Sequence, residues 1–225
     1  MTQLVSIDFS GTLTTDFNKG SGTYCSYTSG QLHFSGEGLI LAKTSLGTDT
    51  KWMRFNLTTL ANDVANVGFA LGDSSGNGFI GLILHDSAGN ASTFSDLSPY
   101  NTYTTYVGSD EVTGGGFVSW TPASQAIGVT FDPSTNAIRV WFNVTAAEPA
   151  STTSWDSRAA DVSYTSTFDF GSTHQYAGFG SWSGTPGTNT FDNFTAGDFS
   201  AGGGGSTTAQ ARRRRQRIFG TGPYS

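Results

Sequence analysis

Through most of residues 1–199, apolar and polar side chains alternate with a period of two, and no stretch carries a convincing helical spacing. Segments patterned this way bury one face only by pairing into sheets. The cleanest case is Trp52 to Leu57, where Met53, Phe55 and Leu57 share one face and Trp52, Arg54 and Asn56 the other. Ala137 to Val144 repeats the pattern, with Ile138, Val140, Phe142 and Val144 opposed to Arg139, Trp141 and Asn143. Turn formers punctuate the segments. Ser29-Gly30 separates Tyr24–Tyr27 from Gln31–Phe34, Asp73 to Gly78 separates Val67–Leu71 from Phe79–His85, and Asp132 to Asn136 precedes Ala137. Phe79 to His85 is apolar on both faces, which predicts a central strand covered on both sides. Leu4 to Phe9 reads as a first strand, Gly11 to Gly22 as a polar loop, Ala91 to Gly116 as short irregular pieces, and Val162 to Phe170 as a strand. In all there are roughly a dozen strands at spacings of about 8–15 residues, the pattern of a sandwich or barrel. The 17 Phe, 8 Tyr and 5 Trp supply its core, and 225 residues suit one large all-β domain.

The last of these segments, Tyr176 to Phe199, reads YAGFGSWSGTPGTNTFDNFTAGDF. Tyr176 to Trp182 alternates, Ser183 to Asn189 is a loop of Ser, Gly, Thr and Pro, and Phe191 to Phe194 opens a final strand, so the whole predicts a closing hairpin. This block resembles the C-terminal end of concanavalin A-like and laminin G-like jelly-roll domains. The TFDPSTN turn followed by IRVWFN is similar to a late strand of lectin-like sandwiches. The resemblance implies an all-β fold, an antiparallel two-sheet jelly-roll sandwich.

Charge divides the chain. Residues 1–199 hold all 17 acidic side chains and a net −11, whereas residues 200–225 hold five Arg and a net +5, which leaves −6 overall. An acidic body does not bind nucleic acid, which needs clustered cations. Three parts follow: a lectin-like sandwich over 1–199, a Gly/Ser/Thr-rich linker over 200–211, and a flexible basic tail over 212–225. In that tail Arg212, Arg213, Arg214, Arg215, Arg217, Ile218 and Phe219 are candidate anchors to a partner protein, because Arg and aromatic side chains dominate interfaces. Nucleic-acid binding by the tail and a solvated tail are the competing readings. Cys25 is the only cysteine, the N-terminus lacks a signal-peptide pattern, and no apolar run reaches membrane-spanning length.

Catalytic patterns are weak. Retaining glycoside hydrolases need two carboxyl groups about 5–5.5 Å apart, and Glu37, Glu111 and Glu148 are scattered singly. His174-Gln175-Tyr176 is similar to the residue types of jelly-roll lyases, but a polar strand end explains it as well. Calcium is the one cofactor the residue types suggest, with Asp192 and Asn193 as weak candidate ligands and loop capping as the competing role. Asp73 to Asn77 also has a calcium-loop look, which hairpin chemistry accounts for. The leading binding candidates are Trp52, Arg54, Arg139 and Trp141, on the polar faces of two strands. In one sheet they would form an exposed patch where Trp stacks on sugar rings and Arg donates to hydroxyls. The competing reading is that the connection 146–160 covers Trp141.

A lectin-like sandwich followed by a Gly linker and a short basic-aromatic terminus looks like a bacteriophage virion protein. The resemblance implies a non-enzymatic, multi-copy or homo-oligomeric component made in the host cytoplasm. Its tail would hold a capsid or tail protein, and its sandwich would face a host surface glycan, with no membrane contact. A free carbohydrate-binding module is the alternative, and a polysaccharide-degrading enzyme the remoter one.

Overall fold

In a computed structural model the described residues are 1–21, 23–58, 67–85, 91–106, 110–111, 118–119, 125–167, 169, 171–181 and 190–200. Among them the chain forms β1 (Thr2–Ile7), a helical turn α1 (Leu13–Asp16), β2 (Phe17–Lys19), β3 (Cys25–Thr28), β4 (Gln31–Phe34), β5 (Gly38–Ala42), β6 (Lys51–Thr58), β7 (Val67–Gly72) and β8 (Gly78–His85). There follow β9 (Ala91–Asn101), β10 (Thr105–Tyr106), β11 (Asp110–Glu111), β12 (Val118–Ser119), β13 (Gln125–Asp132), β14 (Ala137–Phe142), β15 (Val162–Thr165), β16 (Tyr176–Ser181) and β17 (Thr190–Asp198). They make an all-β antiparallel two-sheet jelly-roll sandwich. One sheet runs β15-β14-β13-β6-β17-β4-β3 with β1 on β17. The other runs β10-β9-β8-β7-β16-β5-β2, with β11 and β12 on β9.

The chain repeatedly crosses between sheets, from β4 to β5, β6 and β7, and again from β15 to β16 and β17. The inner faces meet in one phenylalanine-rich core. Phe179 of β16 lies 4.4 Å from Phe191 and 4.9 Å from Phe194 of β17, and 5.3 Å from Phe55 of β6. Such offset and edge contacts add to the area these rings bury.

That packing corrects the expected closing hairpin. Strands β16 and β17 do not pair with each other. Strand β16 pairs β5 and β7, and β17 pairs β6, β4 and β1. The Phe side chains of these two strands therefore stack across the sandwich. Two further differences concern strand existence. The expected loop at 11–22 contains β2, whose Phe17 is 1 % exposed and pairs Ala42. The expected irregular stretch contains β9, eleven residues long, which pairs β8 from Tyr100 to Ser92 with one register shift between Leu82 and Ile83. The expected strand over 162–170 ends at Thr165. The turns were legible: Ser29 and Asn136 take the left-handed φ that tight hairpins require. Asp132 Oδ1 accepts from Ser134 N–H (3.0 Å) and its hydroxyl (2.7 Å).

Lys51, at the start of β6, is fully buried and donates from Nζ to the Asp49 carbonyl at 2.8 Å. Burial pulls its amine down to about 8, against the attraction of Asp49 and Asp198. Between pH 8 and 10.5 the unfolded chain thus holds a proton that the folded chain releases, so stability rises with pH across that window. Across the whole window the rise is expected to be about 3 kcal/mol. Urea midpoints at pH 7 to 10 should show a slope that Lys51→Met removes. The difference between the two proteins isolates Lys51 from Cys25, whose buried thiol is pushed up to about 12 and acts in the opposite direction above pH 9.

Candidate functional site

The four residues singled out for sugar stacking do share one sheet face. Strand β13 lies between β6 and β14, with Gly128 opposite both Arg54 and Trp141, and Thr130 opposite both Trp52 and Arg139. The exposed patch is nevertheless corrected. Trp52 and Trp141 are 0 % exposed, because the connection 143–161 folds over them. Trp155 of that connection packs edge-on to Trp52 (6.1 Å, 84°) and tilts against Trp141 (5.9 Å). It can do so because Gly128 beneath it has no side chain: a Cβ there would stand 2.5 Å from the ring.

The cover is well bonded. Trp155 Nε1 donates to the Ala146 carbonyl (3.1 Å) and Trp141 Nε1 to the Arg158 carbonyl (3.2 Å). Arg158 pairs with Asp161 at 2.6 Å and also donates to the Phe142 carbonyl, while Asp161 accepts from Phe142 N–H at 2.7 Å. Covering thus removes both Trp rings from any ligand. Arg139 is half-buried, with Nη1 sealed and unpartnered.

Arg54 stands apart, beyond the edge of the cover. It lines a cleft of about 410 Å³ with Asn56 of β6, Asn193 to Thr195 of β17, and Ser6 to Asp8 at the end of β1. The cleft originates in a bulge. Asp192 pairs Asn56 and Thr195 pairs Arg54, so β17 advances three residues while β6 advances two. Asn193 takes φ +51°, a conformation that Asn tolerates better than most residues, and its N–H donates to Asp192 Oδ1 at 2.7 Å. The bulge lets Phe191 and Phe194, three apart, both point into the core, where strict alternation would have turned one outward. On the outer side it leaves Asn193 exposed and opens the strand surface. Asp192 thereby takes the local capping role. Among the described residues no three His, Cys, Asp or Glu gather as a metal set. Asp73 is likewise committed to its own hairpin, accepting from Ser75 and Asn77 N–H and from Asn77 Nδ2 at 2.8–3.0 Å.

The polar groups of the cleft are poorly matched within the protein. The row across the sheet reads Ser6, Thr195, Arg54, Gly128, Trp141. Arg54 Nε and Thr195 Oγ1 are sealed from solvent with no hydrogen-bond partner. Trp52 Nε1, Arg139 Nη1 and the Gln125 amide are sealed in the same way, although buried polar atoms in proteins are nearly always paired. Burial pulls the Arg54 guanidinium below its ordinary value, with Asp156 acting in the other direction. Asp8, the carboxylate of the lining, is held below the usual range by the Ser10 hydroxyl (2.7 Å) and N–H (3.1 Å). Of these residues the sequence points to Arg54, as a sugar-binding candidate, and to Asn193, as a weak calcium ligand. The two Phe at a spacing of three in one strand were the available signal for a bulge. The candidate tail anchors Arg212 to Phe219 lie outside the described residues.

No protein-family model matches the chain, and no curated protein is similar to it. Solved structures of similar outline include a carbohydrate binding module from Bacillus subtilis (14 % identity, 81 % of this chain and 96 % of that one, TM-score 0.46). Others are a legume lectin-like domain from Entamoeba histolytica (9 %, 88 % and 98 %, TM-score 0.48) and a glycosyl hydrolase family protein from Mycobacterium fortuitum (9 %, 87 % and 100 %, TM-score 0.48). Likeness at this level carries no argument about ligand or activity.

Proposed function

We propose that this chain is a non-enzymatic glycan-binding module that serves as a bacteriophage virion protein, attached to the particle through its C-terminal segment. The observation that carries the binding half is the cleft beside the bulge, which gathers Arg54, Asn56, Asn193 and Ser6 from three strands. Its volume, about 410 Å³, suits a small-molecule site. Side-chain amides, hydroxyls and a guanidinium are the groups that bind sugar hydroxyls. Hydrolysis with retention needs two carboxyl groups, and the lining offers Asp8 with its carboxylate already bonded to Ser10. That supports binding over cleavage. The attachment half rests on the Gly-rich linker and the Arg-rich, aromatic tail.

A glycan array followed by calorimetry tests the first half. Arg54→Gln and Asn56→Ala are each expected to weaken the bound glycan at least tenfold, about 1.4 kcal/mol, with the unfolding midpoint unchanged. Equal affinity in both variants would remove the cleft from the reading, and product release from any bound glycan would replace binding by catalysis. Deleting residues 206–225 tests the second half. The shortened chain should fail to enter particles assembled with their other structural proteins, and full incorporation would leave a free carbohydrate-binding module.

A further inference from the structure

Among the described residues no acid forms an ion pair with the positive charge in the cleft. Arg54 is half-buried and makes no ion pair among the described residues. Its electrostatic neighbour Asp156 is committed elsewhere, accepting from Thr145 N–H (2.8 Å), the Thr145 hydroxyl (3.0 Å) and Ala146 N–H (2.7 Å). Asp8, across the cleft, is bonded to Ser10. A partly desolvated guanidinium without a counter-ion is an unfavourable arrangement unless a ligand completes it.

We infer that the cleft selects an acidic sugar, a hexuronic acid within a glycan, whose carboxylate sits on the Arg54 guanidinium. This inference rests on the glycan-binding reading and specifies its ligand. A planar guanidinium matches a carboxylate by two parallel hydrogen bonds, which a neutral hydroxyl cannot reproduce. Asn56 lies two residues along β6 from Arg54, and Ser6 lies across the row beyond Thr195; both line the cleft, where they meet the ring hydroxyls of the same sugar.

The body's net charge of −11 repels anions at a distance. At physiological ionic strength that repulsion is screened beyond about 8 Å, while the contact pair is screened much less. Binding in the cleft therefore weakens little as salt rises. Attraction of a polyanion to the Arg-rich tail would fall steeply with salt.

The experiment titrates the full chain with the methyl glycosides of glucuronic, galacturonic and mannuronic acid, each against its neutral parent sugar, at two salt concentrations. At least one uronide is expected to bind tenfold or more tightly than its neutral parent, with a shallow salt dependence. Arg54→Gln should bring the two to equal affinity, and Arg54→Lys should retain part of the preference. A neutral sugar bound as well as its uronide, or a preference that survives Arg54→Gln, overturns the inference and leaves the glycan reading standing. A preference that vanishes at the higher salt in wild type assigns it to the tail and also overturns the inference. If no sugar on the array or in this panel binds, the inference and the glycan reading fall together. The wild-type comparison needs no variant, so a poorly folded Arg54→Gln would not shield the idea.

Discussion

Trp155→Ala is expected to lower stability by about 3–5 kcal/mol, the range for deleting a fully buried large aromatic. Trp155 is 0 % exposed although it lies on a connection, and it is the piece that closes the outer face of the β6–β13–β14 sheet. Its ring fills the space above Gly128 and touches both Trp52 and Trp141. Alanine would leave a cavity bounded by two more tryptophans. The rest of the cover is held by hydrogen bonds among Arg158, Asp161 and Phe142, so it cannot simply collapse into the gap. Urea denaturation measures the loss. Tryptophan emission of the folded variant should move to longer wavelength as water reaches Trp52 and Trp141. A loss below about 1 kcal/mol, with emission unchanged, would mean that the connection is not the structural cover described here.

Gly178→Ala is expected to cost about 3 kcal/mol or more, and to leave little folded protein. Gly178 lies in β16, paired to Leu41 of β5 on one side and Ala70 of β7 on the other. A Cβ there would stand 1.9 Å from the Ile40 carbonyl oxygen and 2.9 Å from Leu41 Cα. Both obstacles are backbone, and the strand between two paired neighbours has no room to shift. Gly11→Ala is the matched control. Its new methyl would meet nothing closer than Asp16 Oδ2 at 3.6 Å, so its midpoint should stay within about 0.5 kcal/mol of wild type. If the two variants unfold together, the close approach of β16 and β5 is not what requires glycine.

These cases show why some of the fold was legible and some was not. The faces of β6 followed directly from alternation: Met53, Phe55 and Leu57 face the core between the sheets, and Trp52, Arg54 and Asn56 face the outer side. Alternation is a property of one strand, and it reports which side chains share a face. It does not report what lies above that face. Whether Trp52 was a sugar platform or a packed core ring depended on residues a hundred positions away, in the connection that carries Trp155. The expected hairpin failed for a similar reason. A turn-rich loop after an alternating strand reads the same whether the chain returns in its own sheet or crosses to the other. Here it crosses, and the Phe179 ring tilts against Phe191 across the core.

The sequence by itself determined the class of fold, the positions of most strands and tight turns, and the split between an acidic body and a basic tail. Those are local quantities: a period of two, turn residues that adopt left-handed φ, and a sum of charges. Only the tertiary structure decided which strands pair, which of the outward faces are covered, and where unmatched polar groups meet. The cleft at Arg54 exists because a bulge in β17, a strand end of β1 and the middle of β6 come together, three segments far apart in the chain. Loop closure and sheet pairing bring them together, and that proximity has no signature in any one segment.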